Sequence, residues 1–73
     1  MSKLPQVSGS DVVRALQKAG FSVRRQHGSH IIMRRDNPFA QTVVPNHRQI
    51  DRGTLRAILR QTDLSADEFT KLL

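Results

Sequence analysis

The chain has no cysteine, tryptophan or tyrosine, and only three of its 73 residues are phenylalanine. The absence of cysteine excludes disulfide bonds, thiolate zinc sites and a cysteine nucleophile. Because Phe21 and Phe69 lie in apolar patterns, only Phe39 is free to stack on a base. This scarcity argues against an RRM-like platform of stacked bases and favours contacts with a sugar-phosphate backbone. Stability must come from core packing or from a partner.

Long apolar runs are missing as well. No segment approaches the roughly 18 residues that span a bilayer, and the N-terminal stretch MSKLPQVSGS lacks the apolar region of a signal peptide. We therefore expect a cytoplasmic protein with a single domain over residues 1–73. A domain of this size buries only about 60% of the surface that its unfolded chain exposes, so its core should be thin.

Acidic residues are few in this chain. Twelve Lys and Arg residues against six Asp and Glu residues give a formal net charge of +6, and nine of the twelve basic residues are arginine. Arginine presents a planar fork that suits phosphate, whereas solubility alone is served equally well by lysine. The charge indicates a nucleic acid or an acidic protein as the partner, but it indicates attraction and not chemistry.

The apolar pattern predicts an α+β domain with a helix, a three-stranded antiparallel sheet, a second helix and a short C-terminal helix. Ser8 and Asp11 have capping-box spacing, which predicts the first helix over 9–19. Alternation predicts a half-buried strand in FSVRRQ, a turn at HGS, and further strands in HIIMRR and QTVVP. Asp51 is the expected N-cap of the second helix, and a capping box at Ser65 predicts the third. The helices should cover one face of the sheet, because each has a single apolar stripe.

His30 is the strongest candidate for chemistry. Alternation directs Ile31 and Met33 towards the helices. The opposite face then carries His30, Ile32, Arg34 and, from the preceding strand, Arg24. An exposed imidazole among arginines suits a general acid or base beside a bound phosphate. From these residues alone, a surface histidine without a function is the alternative.

The other histidines and one helical glycine are weaker candidates. His47 follows the third strand, and His27 lies at the turn. We expect no metal and no cofactor, because the histidines form no HxxxH pair and no carboxylate has ligand spacing. Gly53 in a first helical turn costs up to about 1 kcal/mol relative to alanine. That cost favours close packing against a strand over an anion site at the helix N-terminus.

A row of arginines follows one face of the second helix. Arg52, Arg56 and Arg60 recur every four residues, and Arg48 precedes them. The spacing is that of a row of phosphate contacts. It is equally typical of a solvated helix face, and these residues do not decide between the two interpretations.

Three segments, GSHIIMRR, TVVPNH and IDRGTLRAILRQTDLS, together resemble the HicA family of toxins, also called YcfA-like mRNA interferases, and KLPQVSGSDVVRALQKAGF is similar to that family's opening. The resemblance runs from Lys3 to about Ser65. It implies a double-stranded-RNA-binding-like fold, a ribonuclease that cleaves mRNA, and a HicB antitoxin that covers the key histidine. On the family's pattern this histidine is His30, and the correspondence extends to Gly28, Ser29, His47 and Gly53. The loop RRDNPFAQT departs from the shorter turn usual in the family, so substrate preference is left open.

Three hypotheses follow for the function. The first is a metal-independent endoribonuclease toxin in which His30 moves a proton during attack of the ribose 2′-hydroxyl on phosphorus, supported by Ser29, Gly28 and either His47 or water. The second is a non-catalytic RNA-binding module of the same fold. The third is a docking surface for an acidic protein. The residues expected to contact RNA are Arg24, Arg34, Arg48, Arg52, Arg56 and Arg60.

Overall fold

The computed structural model describes residues 3–73, and its helices and strands follow the predicted order. They are α1 (Gly9–Lys18), β1 (Ser22–His27), β2 (His30–Asp36), β3 (Phe39–Pro45), α2 (Arg52–Thr62) and α3 (Ala66–Leu72). The sheet is antiparallel, with β2 between β1 and β3. The expected α+β, double-stranded-RNA-binding-like fold is confirmed. Within residues 3–73, no helix combines the length and the apolar character needed to cross a membrane.

Side-chain caps start the helices at the predicted residues. The hydroxyl of Ser8 accepts a hydrogen bond from the N–H of Asp11, and the carboxylate of Asp11 accepts one from the N–H of Ser8, both at 3.1 Å. Ser65 and Glu68 form the same reciprocal pair before α3. Asp51 caps α2. These contacts satisfy N–H groups that a helix leaves without an internal partner.

The caps predict that acid destabilises the fold. Hydrogen bonds from Ser8, Thr54 and Ser65 lower the pKa values of Asp11, Asp51 and Glu68, respectively. A carboxyl group with a lowered pKa in the folded chain contributes stability above its unfolded pKa, and this contribution disappears as the pH falls through the folded value. The melting temperature should therefore decrease when the pH is lowered below about 4, near the ordinary pKa range of these carboxyl groups.

An Asp51→Asn substitution should reduce the decrease of the melting temperature in acid, because the asparagine amide is not protonated between neutral pH and pH 2. Thermal melts of both proteins between neutral pH and pH 2 measure the effect. The matched control is Asp63→Asn, at a residue that lies at the C-terminal end of α2 and caps no helix N-terminus. If the melting temperature of Asp51→Asn depended on pH as strongly as that of the parent, the Asp51 cap would contribute nothing to the acid sensitivity.

The hydrophobic core lies between the helices and the inner face of the sheet. Its buried apolar side chains are Val7, Val12, Ala15, Leu16, Phe21, Ile31, Met33, Ala40, Val44, Ile50, Leu55, Ile58, Leu59 and Phe69. The buried Thr42 donates a 2.6 Å hydrogen bond from its hydroxyl to the side-chain oxygen of Gln61. This bond ties β3 to α2, so α2 lies on the inner face.

The prediction of a half-buried first strand is wrong for β1, although Phe21, the first residue of the predicted segment, is buried. All six residues of β1 are exposed, and Val23 keeps 44% of its surface accessible. β1 is an edge strand, and the buried inner-face side chains of the sheet belong to β2 and β3. A bulge between Val23 and Arg25 also interrupts the alternation of β1, because Arg24 has no register partner on β2.

Close packing occurs at Gly9 and not at Gly53. A Cβ atom added to Gly9 would overlap the carbonyl oxygen of Pro45 and lie 3.0 Å from the Cα of Asn46. At Gly53 the nearest atom would be a carboxylate oxygen of Asp51 at 3.4 Å. The prediction of close packing at Gly53 is therefore wrong, because Arg52 and Gly53 at the start of α2 are exposed, whereas α1 begins directly against the segment that follows β3.

Candidate active site on the open face of the sheet

The sheet face opposite the helices, here called the open face, carries the candidate site. On this face β2 places His30, Ile32 and Arg34, while Ile31 and Met33 are buried on the inner face. The predicted orientation of His30 is confirmed. Directly opposed residues of antiparallel strands project from the same face, so the strand register identifies the neighbours of each side chain.

A two-residue turn determines where His30 lies. Gly28 and Ser29 connect β1 to β2, and Gly28 has a φ of +56°. A positive φ at the first turn residue alone is the pattern of the type II′ hairpin turn. A Cβ atom at Gly28 would meet no atom within 4 Å, so glycine is favoured here by its backbone conformation and not by packing. Gly28 and Ser29 thus position His30 at the first residue of β2.

The segment that contains His47 is held against the same turn. The N–H of Asn46 donates a 2.6 Å hydrogen bond to the carbonyl oxygen of Ser29, and the N–H of Gly9 donates a 2.8 Å bond to the carbonyl oxygen of His47. His47 is exposed. Its backbone therefore lies at the same end of the sheet as His30, fixed between the turn and the start of α1.

Three arginines surround a shallow depression on the open face, which begins at Ile32, two residues along β2 from His30. This arginine depression has a volume of about 320 Å³ and is lined by Arg24, Arg25, Ile32, Arg34 and Gln41. The bulge in β1 brings Arg24 to the same depression as Arg25, although strict alternation would place them on opposite faces.

The depression carries a positive charge. Arg34 forms an ion pair with Asp36, with 2.9 Å between Nε and Oδ1, but the Nε atom lacks the geometry of a hydrogen bond. Three guanidinium groups against this one carboxylate leave net positive charge in the depression. The arrangement suits an anionic group such as a phosphate, which arginine binds through charge-assisted hydrogen bonds.

The other arginines predicted to contact RNA do not line the arginine depression. Arg52, Arg56 and Arg60 are exposed on α2, in the layer of helices, and Arg48 is exposed in the loop before it. Arg56 and Arg60 border a groove whose lining also includes the acidic residues Asp63 and Glu68. The structure thus brings Arg24 and Arg34 to the open face with His30 and separates the α2 row from them.

The comparison with protein families agrees with this architecture. The model of the family described as HicA toxin of bacterial toxin-antitoxin matches residues 9–64 of the 73-residue chain. The chain belongs to the HicA toxin family. The HicA match spans α1, the whole sheet and α2, and so includes every residue of the open face described above. Membership of a toxin–antitoxin family implies an antitoxin as a partner of this HicA chain. No curated protein matches the sequence.

The alternating pattern of the HicA sequence did not predict that two further residues lie on the open face. Arg25 and His27 are both exposed, and Nη1 of Arg25 lies 3.2 Å from Nε2 of His27. The signal that identifies His27 is the motif HGSH itself, since a two-residue turn makes its flanking residues cross-strand partners. Among residues 3–73 there is no group of three His, Asp or Glu side chains that could hold a metal ion.

Proposed function

We propose that the protein is a metal-independent endoribonuclease, a toxin that cleaves mRNA and thereby arrests growth. The observation that supports this most is the position of His30, which a tight turn fixes on the same open face as the arginine depression. RNA supplies a phosphate for the arginines and a neighbouring 2′-hydroxyl as the nucleophile. Its cleavage by this route needs only proton transfer and stabilisation of charge, which an imidazole and guanidinium groups provide.

In the proposed reaction the 2′-oxygen attacks phosphorus and the 5′-oxygen leaves, and His30 transfers one of the two protons that move. Arg24 and Arg34 stabilise the negative charge that develops on the phosphorane oxygens. The bond between phosphorus and the 5′-oxygen then breaks, which leaves a 2′,3′-cyclic phosphate and a 5′-hydroxyl. Gly28 and Ser29 contribute by positioning His30, and the second proton transfer requires another group, for which His47 lies at the same end of the sheet.

The partner is proposed to be a HicB-like antitoxin that covers His30 and part of the arginine surface. The chain carries a net charge of +6, so an acidic partner would associate with it quickly. A protein seated on the open face would exclude RNA from His30 and the arginine depression. The antitoxin would thereby prevent cleavage by direct masking.

A non-catalytic RNA-binding module of the same fold is the second candidate function. The observation that favours it is the exposed row of Arg52, Arg56 and Arg60, which lies away from the histidine. Proteins with this fold bind duplex RNA through its shape and its phosphates without cutting it. The two functions differ in the fate of the RNA, which remains intact on a binding module.

Expression without an antitoxin in a bacterial host tests the proposed function. We expect growth arrest together with fragmentation of cellular mRNA, and recovery of growth when a HicB-like antitoxin is expressed with the toxin. Northern analysis of several transcripts measures the cleavage directly. Unimpaired growth with intact transcripts, at a level where the folded protein accumulates, would contradict the proposal. Growth arrest with intact transcripts would favour the binding module.

A further inference from the structure

His27 and His30 face each other across the hairpin that joins β1 to β2. They are register partners, separated along the chain only by Gly28 and Ser29, and both are exposed on the open face. Directly opposed residues in an antiparallel pair have Cβ atoms about 4.5–5.5 Å apart. The two imidazoles therefore start from neighbouring positions, and their rings can turn to either side of one phosphodiester group.

A contact with Arg25 links His27 to the arginine depression. Arginine has donors and no acceptor, so Nε2 of His27 is on the accepting side of the 3.2 Å contact with Nη1. Arg25 also lines the arginine depression, so His27 lies beside the proposed phosphate site. An accepting ring nitrogen next to a bound phosphate is what a general base requires.

His47 has a less direct relation to His30. The register partner of His30 on β3 is Pro45, and His47 lies two residues beyond it, where the chain has left the sheet to meet the start of α1. His27 lies directly opposite His30 on a paired strand. The pairing of the strands, and not only their shared end of the sheet, brings His27 and His30 together.

We infer that His27 is the second proton-transfer residue, acting as the general base while His30 acts as the general acid. His27 accepts the proton of the ribose 2′-hydroxyl as the bond between the 2′-oxygen and phosphorus forms. His30 donates a proton to the 5′-oxygen as the bond between phosphorus and that oxygen breaks. The reaction leaves a cyclic phosphate, a 5′-hydroxyl, a protonated His27 and a neutral His30, and exchange with water restores both. This inference rests on the proposed ribonuclease function.

A sulfur substitution in the substrate distinguishes the acid from the base. The probes are a short RNA with a mapped cleavage site and the same RNA with sulfur in place of the bridging 5′-oxygen at that site. A thiolate leaves without being protonated, so the sulfur substrate needs no general acid. We expect His30→Ala to lose about 10²- to 10⁴-fold in rate on ordinary RNA and to regain most of it on the sulfur substrate. His27→Ala should lose a similar factor on both substrates.

Two further measurements make the test specific. His27 is exposed, so the melting temperature of His27→Ala should stay close to that of the parent, and its RNA affinity should change little. His47→Ala, assayed in parallel, should lose less activity than His27→Ala. If His47→Ala lost as much activity as is expected of His27→Ala while His27→Ala itself was unaffected, the second transfer would belong to His47 and the inference would be overturned.

The outcomes separate the inference from the function on which it rests. If His27→Ala cleaves ordinary RNA at the parent rate, or if sulfur rescues His27→Ala and not His30→Ala, the assignment of His27 as the base is wrong while the ribonuclease function stands. If the parent protein cleaves neither substrate, the proposed function itself fails.

Discussion

Replacing His30 with alanine should lower the rate of RNA cleavage by about 10²- to 10⁴-fold, the range typical of removing a proton-transfer group. The affinity for RNA should barely change, because the substitution leaves every arginine in place. Single-turnover cleavage and equilibrium binding to the same RNA measure the two effects separately. In the host, the variant should no longer arrest growth.

The fold should survive this substitution. His30 is exposed on the open face, and surface changes away from caps and core typically alter stability by no more than about 0.5 kcal/mol. An unchanged melting temperature would exclude unfolding as the cause of the inactivity. A folded His30→Ala variant that still cleaves RNA and still arrests growth would return this protein to the binding-module hypothesis.

Removing arginines of the depression should have a different effect, because it lowers the affinity for RNA as well as the rate of cleavage. We expect the double variant Arg24→Ala/Arg34→Ala to bind RNA roughly 10- to 100-fold more weakly for each phosphate that an arginine no longer binds, since a charge-assisted hydrogen bond contributes about 1.5–3 kcal/mol. The decrease should be uniform across RNA sequences. The dependence of log affinity on log salt should become shallower by about 0.7 for each single-strand phosphate released.

The matched control for that variant is Arg56→Ala/Arg60→Ala. Both double variants remove two positive charges, but Arg56 and Arg60 lie on α2 and not on the open face. If RNA binds mainly on the open face, the control should lose less affinity and keep more of the parent salt slope. An equal decrease in both variants would mean that the bound RNA also contacts α2, and a larger decrease in the control would move the proposed RNA site to that helix.

Local signals in the sequence predicted the helix starts correctly. Ser8, Asp51 and Ser65 act through hydrogen bonds to backbone groups three residues away, so the information lies within one turn of chain. The alternating pattern in β2 also predicted correctly which face of the sheet carries His30, because β2 is the central strand and one of its sides is buried. These are the cases in which neighbours in sequence decide the structure.

Contacts between distant segments account for what the sequence did not predict. The bulge at Arg24 depends on how β1 pairs with β2, and the tight fit at Gly9 depends on where the chain runs after β3. Not every arginine counted in the sequence is available to bind phosphate. Arg35 donates to the carbonyl oxygen of Pro38 and lies over a core aromatic ring, a role that only the folded chain reveals.

The chemistry of the cleaved ends distinguishes a metal-independent ribonuclease from a metal-dependent one. Purified protein is incubated with RNA in excess EDTA, and the ends of the fragments are identified. A site of histidine and arginine without a carboxylate cluster has no protein ligands suited to Mg²⁺, so cleavage should persist and leave 2′,3′-cyclic phosphate or 3′-phosphate ends opposite 5′-hydroxyls. Loss of cleavage in EDTA, or fragments with 5′-phosphate and 3′-hydroxyl ends, would contradict the account.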